Sequence, residues 1–211
     1  MVRILCILLI PTILFCSDKK DFETGQTIMN LEPPTNFENV GCPNTNYPNW
    51  ENSPYVLPFP VGKTYKVNLS HCSGSYHSPG QPDQFAIDFA MNIGELVTAA
   101  RAGVVVHIVE SGEDGGFPNN LVVIKHDDNT FAQYMHLTNN GAIVEVGDVV
   151  VKGSHLGYSG ATGLAGYPHL HFVVTPNSWQ YPYTSIPYNF SNTRANPKSL
   201  VSCDSYKAEP Y

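Results

Sequence analysis

From residue 55 onward, short apolar runs rich in β-branched and aromatic residues alternate with turn-forming clusters, and no segment offers the 3.6-residue period of an amphipathic helix. The runs cover residues 64–69, 85–91, 103–110, 120–125, 130–137, 149–151, 155–159 and 169–175. Gly112-Glu113-Asp114-Gly115-Gly116 and Asp127-Asp128-Asn129 are breakers of the hairpin type. Many short strands joined by tight turns predict a mostly β fold, an antiparallel β-sandwich or open barrel-like core with irregular N- and C-terminal arms. Charged residues make up only 14% of the chain, against about 25% in ordinary soluble domains, which suits a loop-rich exported β protein. The net charge of -7 argues against a nucleic-acid partner.

The chain opens with a targeting pattern. Arg3 is followed by an apolar run over residues 4–15, too short to span a bilayer, and then by polar Ser17-Asp18-Lys19-Lys20. Residues 1–16 are therefore read as a signal segment, and the protein as exported to the cell envelope, periplasm or exterior. Cys16 is a candidate for lipidation and membrane attachment, although Leu14-Phe15 lacks the small residue expected before such a cysteine; ordinary secretion and an uncleaved anchor stay open. Residues 17–52, rich in Asn and Pro, read as a polar arm or linker. Residues 53–178 form the predicted core. Residues 179–211 are an extension that begins densely aromatic, Trp179-Gln180-Tyr181-Pro182-Tyr183, and reads either as a wall of a substrate groove or as a tail packed on the core. Beyond the signal segment stand Cys42, Cys72 and Cys203, and in an exported protein one disulfide is expected, Cys42–Cys72 or Cys42–Cys203.

Chemistry concentrates in a few positions. In Pro168-His169-Leu170-His171-Phe172, residues two apart on a strand face the same way, so His169 and His171 project together. Two neutral imidazoles side by side suit a divalent metal. Asp88 interrupts the apolar run Phe85-Ala86-Ile87-Asp88-Phe89-Ala90, and a carboxylate there needs a partner or a metal. His136 closes Phe131-Ala132-Gln133-Tyr134-Met135-His136, where strand alternation puts it on the same face as Tyr134. His77 lies in the loop Gly74-Ser75-Tyr76-His77-Ser78-Pro79-Gly80. Three N or O ligands with one open position are what a catalytic zinc site requires. His107, His126 and His155 fall in strand or turn contexts and read as structural.

Taken in order, these pieces resemble the M23 family of zinc metallopeptidases, the lysostaphin/LytM-like peptidoglycan hydrolases. The resemblance runs from about residue 53 to 175. It is carried by His77, Ala86-Ile87-Asp88-Phe89, Ala99-Ala100-Arg101-Ala102-Gly103, Tyr134-Met135-His136-Leu137, Val146-Gly147-Asp148-Val149-Val150, Gly160-Ala161-Thr162-Gly163 and Pro168-His169-Leu170-His171-Phe172. It implies one Zn2+ per chain held by His77, Asp88 and His171, with His136 and His169 as catalytic residues beside the attacking water. The chain departs from the compact His-x-Gly-x-Asp of many members, since Gln84 stands four residues before Asp88; His77 fits the version with an earlier histidine, and His71 is the fallback. There is no HExxH, so no glutamate base is implied. The resemblance further implies an exported, monomeric endopeptidase acting on peptidoglycan or on small-residue-rich peptides. The alternative is a catalytically silent module that binds cell wall or regulates a partner hydrolase. The hairpin Val146-Gly147-Asp148-Val149-Val150-Val151-Lys152-Gly153 also resembles biotinyl and lipoyl carriers, but it has no Met-Lys-Met.

Overall fold

The computed structural model describes residues 40–211. The predicted targeting segment 1–16, Cys16 with its lipidation, and residues 17–39 of the predicted arm lie outside the described residues.

Eleven strands follow one another among the described residues: β1 (Thr64–Leu69), β2 (Ile87–Ala90), β3 (Leu96–Thr98), β4 (Gly103–Val109), β5 (Leu121–Lys125), β6 (Thr130–Met135), β7 (Leu137–Ala142), β8 (Val149–Val150), β9 (His155–Ser159), β10 (Leu170–Pro176) and β11 (Ser205–Lys207). No α-helix occurs among these residues; Trp50–Asn52 and Ser75–His77 are single 3₁₀ turns. Eight strands form one sheet in the order β11-β1-β2-β10-β6-β5-β4-β8, and β3-β9-β7 form a second. Every pairing is antiparallel, and neither sheet closes into a barrel, in agreement with the expected open sandwich.

The core between the sheets follows from alternation along each strand. Leu170, Phe172 and Val174 of β10 point inward, as do Ile87 and Phe89 of β2, Ala132 and Tyr134 of β6, and Val122 and Ile124 of β5. Val97, Leu156 and Leu137 of the smaller sheet join the same cluster. Phe172 packs edge-on or tilted against Tyr55, Tyr134, Tyr188 and Phe190, the arrangement that ring quadrupoles favour. The outward residues of β10, His171 and Val173, are equally buried, because the other face of the large sheet is also covered. There Val173 packs with Ala86 and Met135 beneath Tyr183. That double coverage explains the unbroken apolar run in β10.

Three strands differ from the sequence reading. β3 and β11 have three residues each, too short for a period to show. β7, Leu-Thr-Asn-Asn-Gly-Ala, is mostly polar and owes its conformation to pairing with β9. Of the two disulfides considered, Cys42–Cys72 forms. It ties residues 40–52 to the loop after β1, where Tyr47 stacks on His71 and Asn189 Nδ2 donates to Pro48 O.

Tyr134 is a point of cooperation between the layers: its fully buried Oη accepts the Ala100 N–H at 2.8 Å. Tyr134→Phe leaves that buried donor unpaired. We expect it to lower unfolding stability in denaturant by about 1–3 kcal/mol, the cost of an orphaned amide. An unchanged midpoint would show that Ala100 N–H finds another acceptor.

Candidate active site

The site grows from the register of three neighbouring strands. In the ladder β2-β10-β6, His171 is opposite Asp88 on one side and Met135 on the other. Asp88 and His171 therefore share the outer face of the large sheet, and His171 Nδ1 lies 2.9 Å from Asp88 Oδ1. The 3₁₀ turn Ser75–His77 brings His77 Nε2 to 3.3 Å from the same oxygen. The His77 and His171 rings meet edge to face at 5.1 Å. All three residues are buried, and one ligand atom from each falls within 4.8 Å of the others. His136, His169 and His171 make a second such trio.

His169 and His136 reach this cluster differently from the sequence reading. His169 precedes β10 and is held by an isolated bridge to Gly160, with its Nε2 3.7 Å from Asp88 Oδ1. His136 does not share a face with Tyr134. The chain leaves β6 at Met135, and His136 adopts a left-handed φ of 64°, which turns its ring from the core side to the outer face. There its ring centroid is 4.6 Å from His169 and 5.7 Å from His171. Asn119 Oδ1 holds the unusual backbone by accepting His136 N–H at 3.0 Å. Gly163, at φ +71°, lets the neighbouring loop press against Asn119, where an added Cβ would meet it at 2.6 Å.

Backbone carbonyls fix both flanking rings. His136 Nδ1 donates to Thr162 O, and His169 Nδ1 donates to Tyr167 O, each at 2.7 Å. A carbonyl only accepts, so the proton belongs on Nδ1 and the lone pair on Nε2. Burial keeps these rings neutral: it pushes His136 down to about 3, with His169 and His171 adding to the effect, and lowers His169 as well. Asp88 behaves oppositely. Burial alone would raise its pKa, but His77 and His171 beside it hold the carboxyl well below the usual range. Burial also disfavours charge on His171, yet the neighbouring carboxylates of Asp83 and Asp88 outweigh it and raise the group to about 10.

The remaining candidates stay apart from the cluster. His71 is enclosed by Tyr47, Phe85 and Tyr188, with Nδ1 3.2 Å from Tyr47 Oη, and does not share the metal-sized grouping. Gln84 spends its Oε1 on Gly80 N–H at 2.8 Å. His107 stacks on Trp179 at 4.2 Å, His126 Nδ1 donates to Ala102 O, and His155 is exposed in β9. Three participants escaped the sequence reading: Asn119; Tyr167, whose Oη donates to Asp88 Oδ2 at 3.4 Å; and Asp83, whose Oδ1 is 3.5 Å from His171 Nε2. Each is a loop residue with no period to mark it.

One acid and two imidazoles converging on a point, with two neutral imidazoles beside them, could hold a metal ion. The buried donor atoms fit a zinc ion, since one carboxylate and two neutral imidazoles would leave a formal charge of one positive unit. Known proteins similar to this chain are peptidases. The sequence pattern of peptidase family M23 matches residues 83–182. Glycyl-glycine endopeptidase ALE-1 of Staphylococcus capitis is 32% identical over 132 residues, 61% of this chain and 35% of that protein. Peptidoglycan DD-endopeptidase ShyA of Vibrio cholerae is 38% identical over 115 residues, 54% of this chain and 25% of that protein. The solved catalytic domain of lysostaphin from Staphylococcus simulans aligns over 62% of this chain and 84% of that one, at 31% identity and a TM-score of 0.41. These matches support peptidase family M23 as the family of residues 83–182. The chain spans 25–35% of the length of the two curated relatives just named.

His71 offers a test of the electrostatics outside the cluster. Burial holds its pKa well below the ordinary value, so its neutral form favours the folded state above roughly pH 6.5, and that contribution is lost as pH falls below this value. Thermal unfolding followed from pH 7.5 to pH 5 should fall less steeply in His71→Gln than in the wild type. Parallel curves would exclude His71 as an acid-sensitive group.

Proposed function

We propose that the protein is an exported zinc metalloendopeptidase that hydrolyses peptide bonds in peptidoglycan stem peptides or cross-bridges. The observation that carries this reading is the convergence of His77 Nε2 and His171 Nδ1 on Asp88 Oδ1, on three separate chain segments. His77, Asp88 and His171 would hold one zinc ion per chain. Zinc bound there supplies Lewis acidity, polarising a peptide carbonyl and acidifying water at neutral pH. The chain's own residues do the rest. His136 and His169 each present a neutral Nε2 to the cluster, fixed by the carbonyls of Thr162 and Tyr167. One takes the proton of the attacking water as general base, and the protonated ring then donates to the developing oxyanion or the leaving amine. Tyr167 Oη, near Asp88 Oδ2, is placed to donate to the same region.

Export rests on the targeting pattern at residues 1–16 and on the wall-acting relatives. ALE-1 and ShyA carry different bond names, glycyl-glycine and DD, so the bond cut by this chain is for an assay to assign. The silent-module alternative rested on Gln84 at the compact-motif position. With His77 buried against Asp88 and Gln84 turned to Gly80, that support disappears.

Two measurements test the proposal. Metal analysis of purified protein should find about one zinc per wild-type chain, none in Asp88→Ala or His77→Ala, and a retained ion in His136→Ala and His169→Ala. Equal zinc loss in all four variants would overturn the division of roles. Zinc-loaded protein should release soluble fragments with new amino termini from purified walls. A chelator should abolish the release, and His136→Ala or His169→Ala should slow it by about 10²–10⁴-fold. No release from glycine-bridged walls or from directly cross-linked walls would sink the hydrolase reading.

A further inference from the structure

The aromatic extension after β10 reaches into the cluster. Tyr183 Oη donates to Asp83 Oδ1 at 2.7 Å, and the same oxygen is 3.5 Å from His171 Nε2. That nitrogen is buried and has no well-formed hydrogen bond, so Asp83 is the anion placed to receive its proton. Ser185 secures the loop on both sides of Asp83: its Oγ donates to Pro82 O at 2.6 Å and accepts Phe85 N–H at 3.2 Å. Tyr183 also packs over Ala86, Met135 and Val173, which fixes its ring. The chain of contacts therefore runs from the extension, through a loop carboxylate, to the outer nitrogen of His171.

Taking the zinc reading above as its basis, we propose that Asp83, held by Tyr183, is a positioning residue for the metal. It accepts His171 Nε2–H, which keeps the Nδ1 lone pair and the ring plane directed at the point shared with His77 and Asp88. A ligating imidazole is ordinarily oriented by a carboxylate or carbonyl on its other nitrogen, and loss of that partner costs about 10–100-fold in metal affinity. Neither Asp83 nor Tyr183 touches the convergence point; they act through His171.

The test is zinc affinity, measured by competition with a fluorescent chelator, with the unfolding midpoint of the metal-free protein as the check on folding. Asp83→Ala should raise the zinc dissociation constant by about 10–100-fold with little change in that midpoint. Asp83→Asn, which keeps an acceptor oxygen, should recover part of the loss. Tyr183→Phe should weaken zinc binding less than Asp83→Ala does. On the Asp83→Ala background it should add nothing, because Tyr183 works through Asp83; a packing role would give additive losses. Wild-type affinity in Asp83→Ala, or additive losses in the double variant, would overturn the inference while leaving the zinc site standing. A wild-type protein that binds no zinc would overturn both.

Discussion

The Asp88 carboxylate is the constraint around which the site is arranged. It sits on β2 in the middle of an eight-stranded sheet, only 4% exposed, where an isolated charge would be far costlier than in water. Two imidazoles meet one of its oxygens and a third stands 3.7 Å away, while a tyrosine hydroxyl reaches the other. The partners come from a 3₁₀ turn, from the neighbouring strand and from the loop before it. The charge can stay ionised in this setting because the fold delivers those partners, and strands make that delivery rigid. A one-residue slip of β10 against β2 would send His171 into the core and bring Phe172 out, so hydrophobic alternation and the chemistry fix the same register.

Three of the cluster imidazoles are not equivalent, and the difference is set by what their ring nitrogens face. His171 faces carboxylates through both nitrogens, and its charged form is favoured. His136 and His169 face backbone carbonyls through Nδ1, and burial keeps them uncharged. Rings less than 6 Å apart are thus pushed in opposite directions by their neighbours. His136 and His169 are thus the rings that present a neutral Nε2 to the cluster.

Much of this was legible in the sequence, for identifiable reasons. Alternation marked the long strands, and a lone aspartate in an apolar run together with a His-x-His pair marked residues that the fold brings together. Proximity of His77 and His136 to that pair followed from a resemblance to an ordered set of motifs, not from any period in the chain. What could not be read depended on the backbone or on distant partners. The left-handed turn at His136 reverses the face that strand alternation assigns, and it is held by Asn119, seventeen residues earlier. Asp83 and Tyr183 meet across a separation of 100 residues, each in a loop without a repeating pattern. β7 is a strand because β9 pairs with it, not because its residues favour the conformation.

The extension after β10 is integral to both layers of this arrangement. Tyr188, Phe190, Leu200 and Tyr206 belong to the main core, and β11 pairs with β1 at the edge of the large sheet. Tyr188 Oη donates to Phe172 O at 2.9 Å, one residue from His171, while Tyr183 and Ser185 hold the loop that carries Asp83. The segment therefore grips β10 from the core side and reaches the outer face beside His171. Loosening it would expose buried aromatic surface and release the loop carboxylate in the same event, so local opening there couples folding to the geometry of the site. Residues that look peripheral in the sequence are in this way tied to the atoms that converge on Asp88.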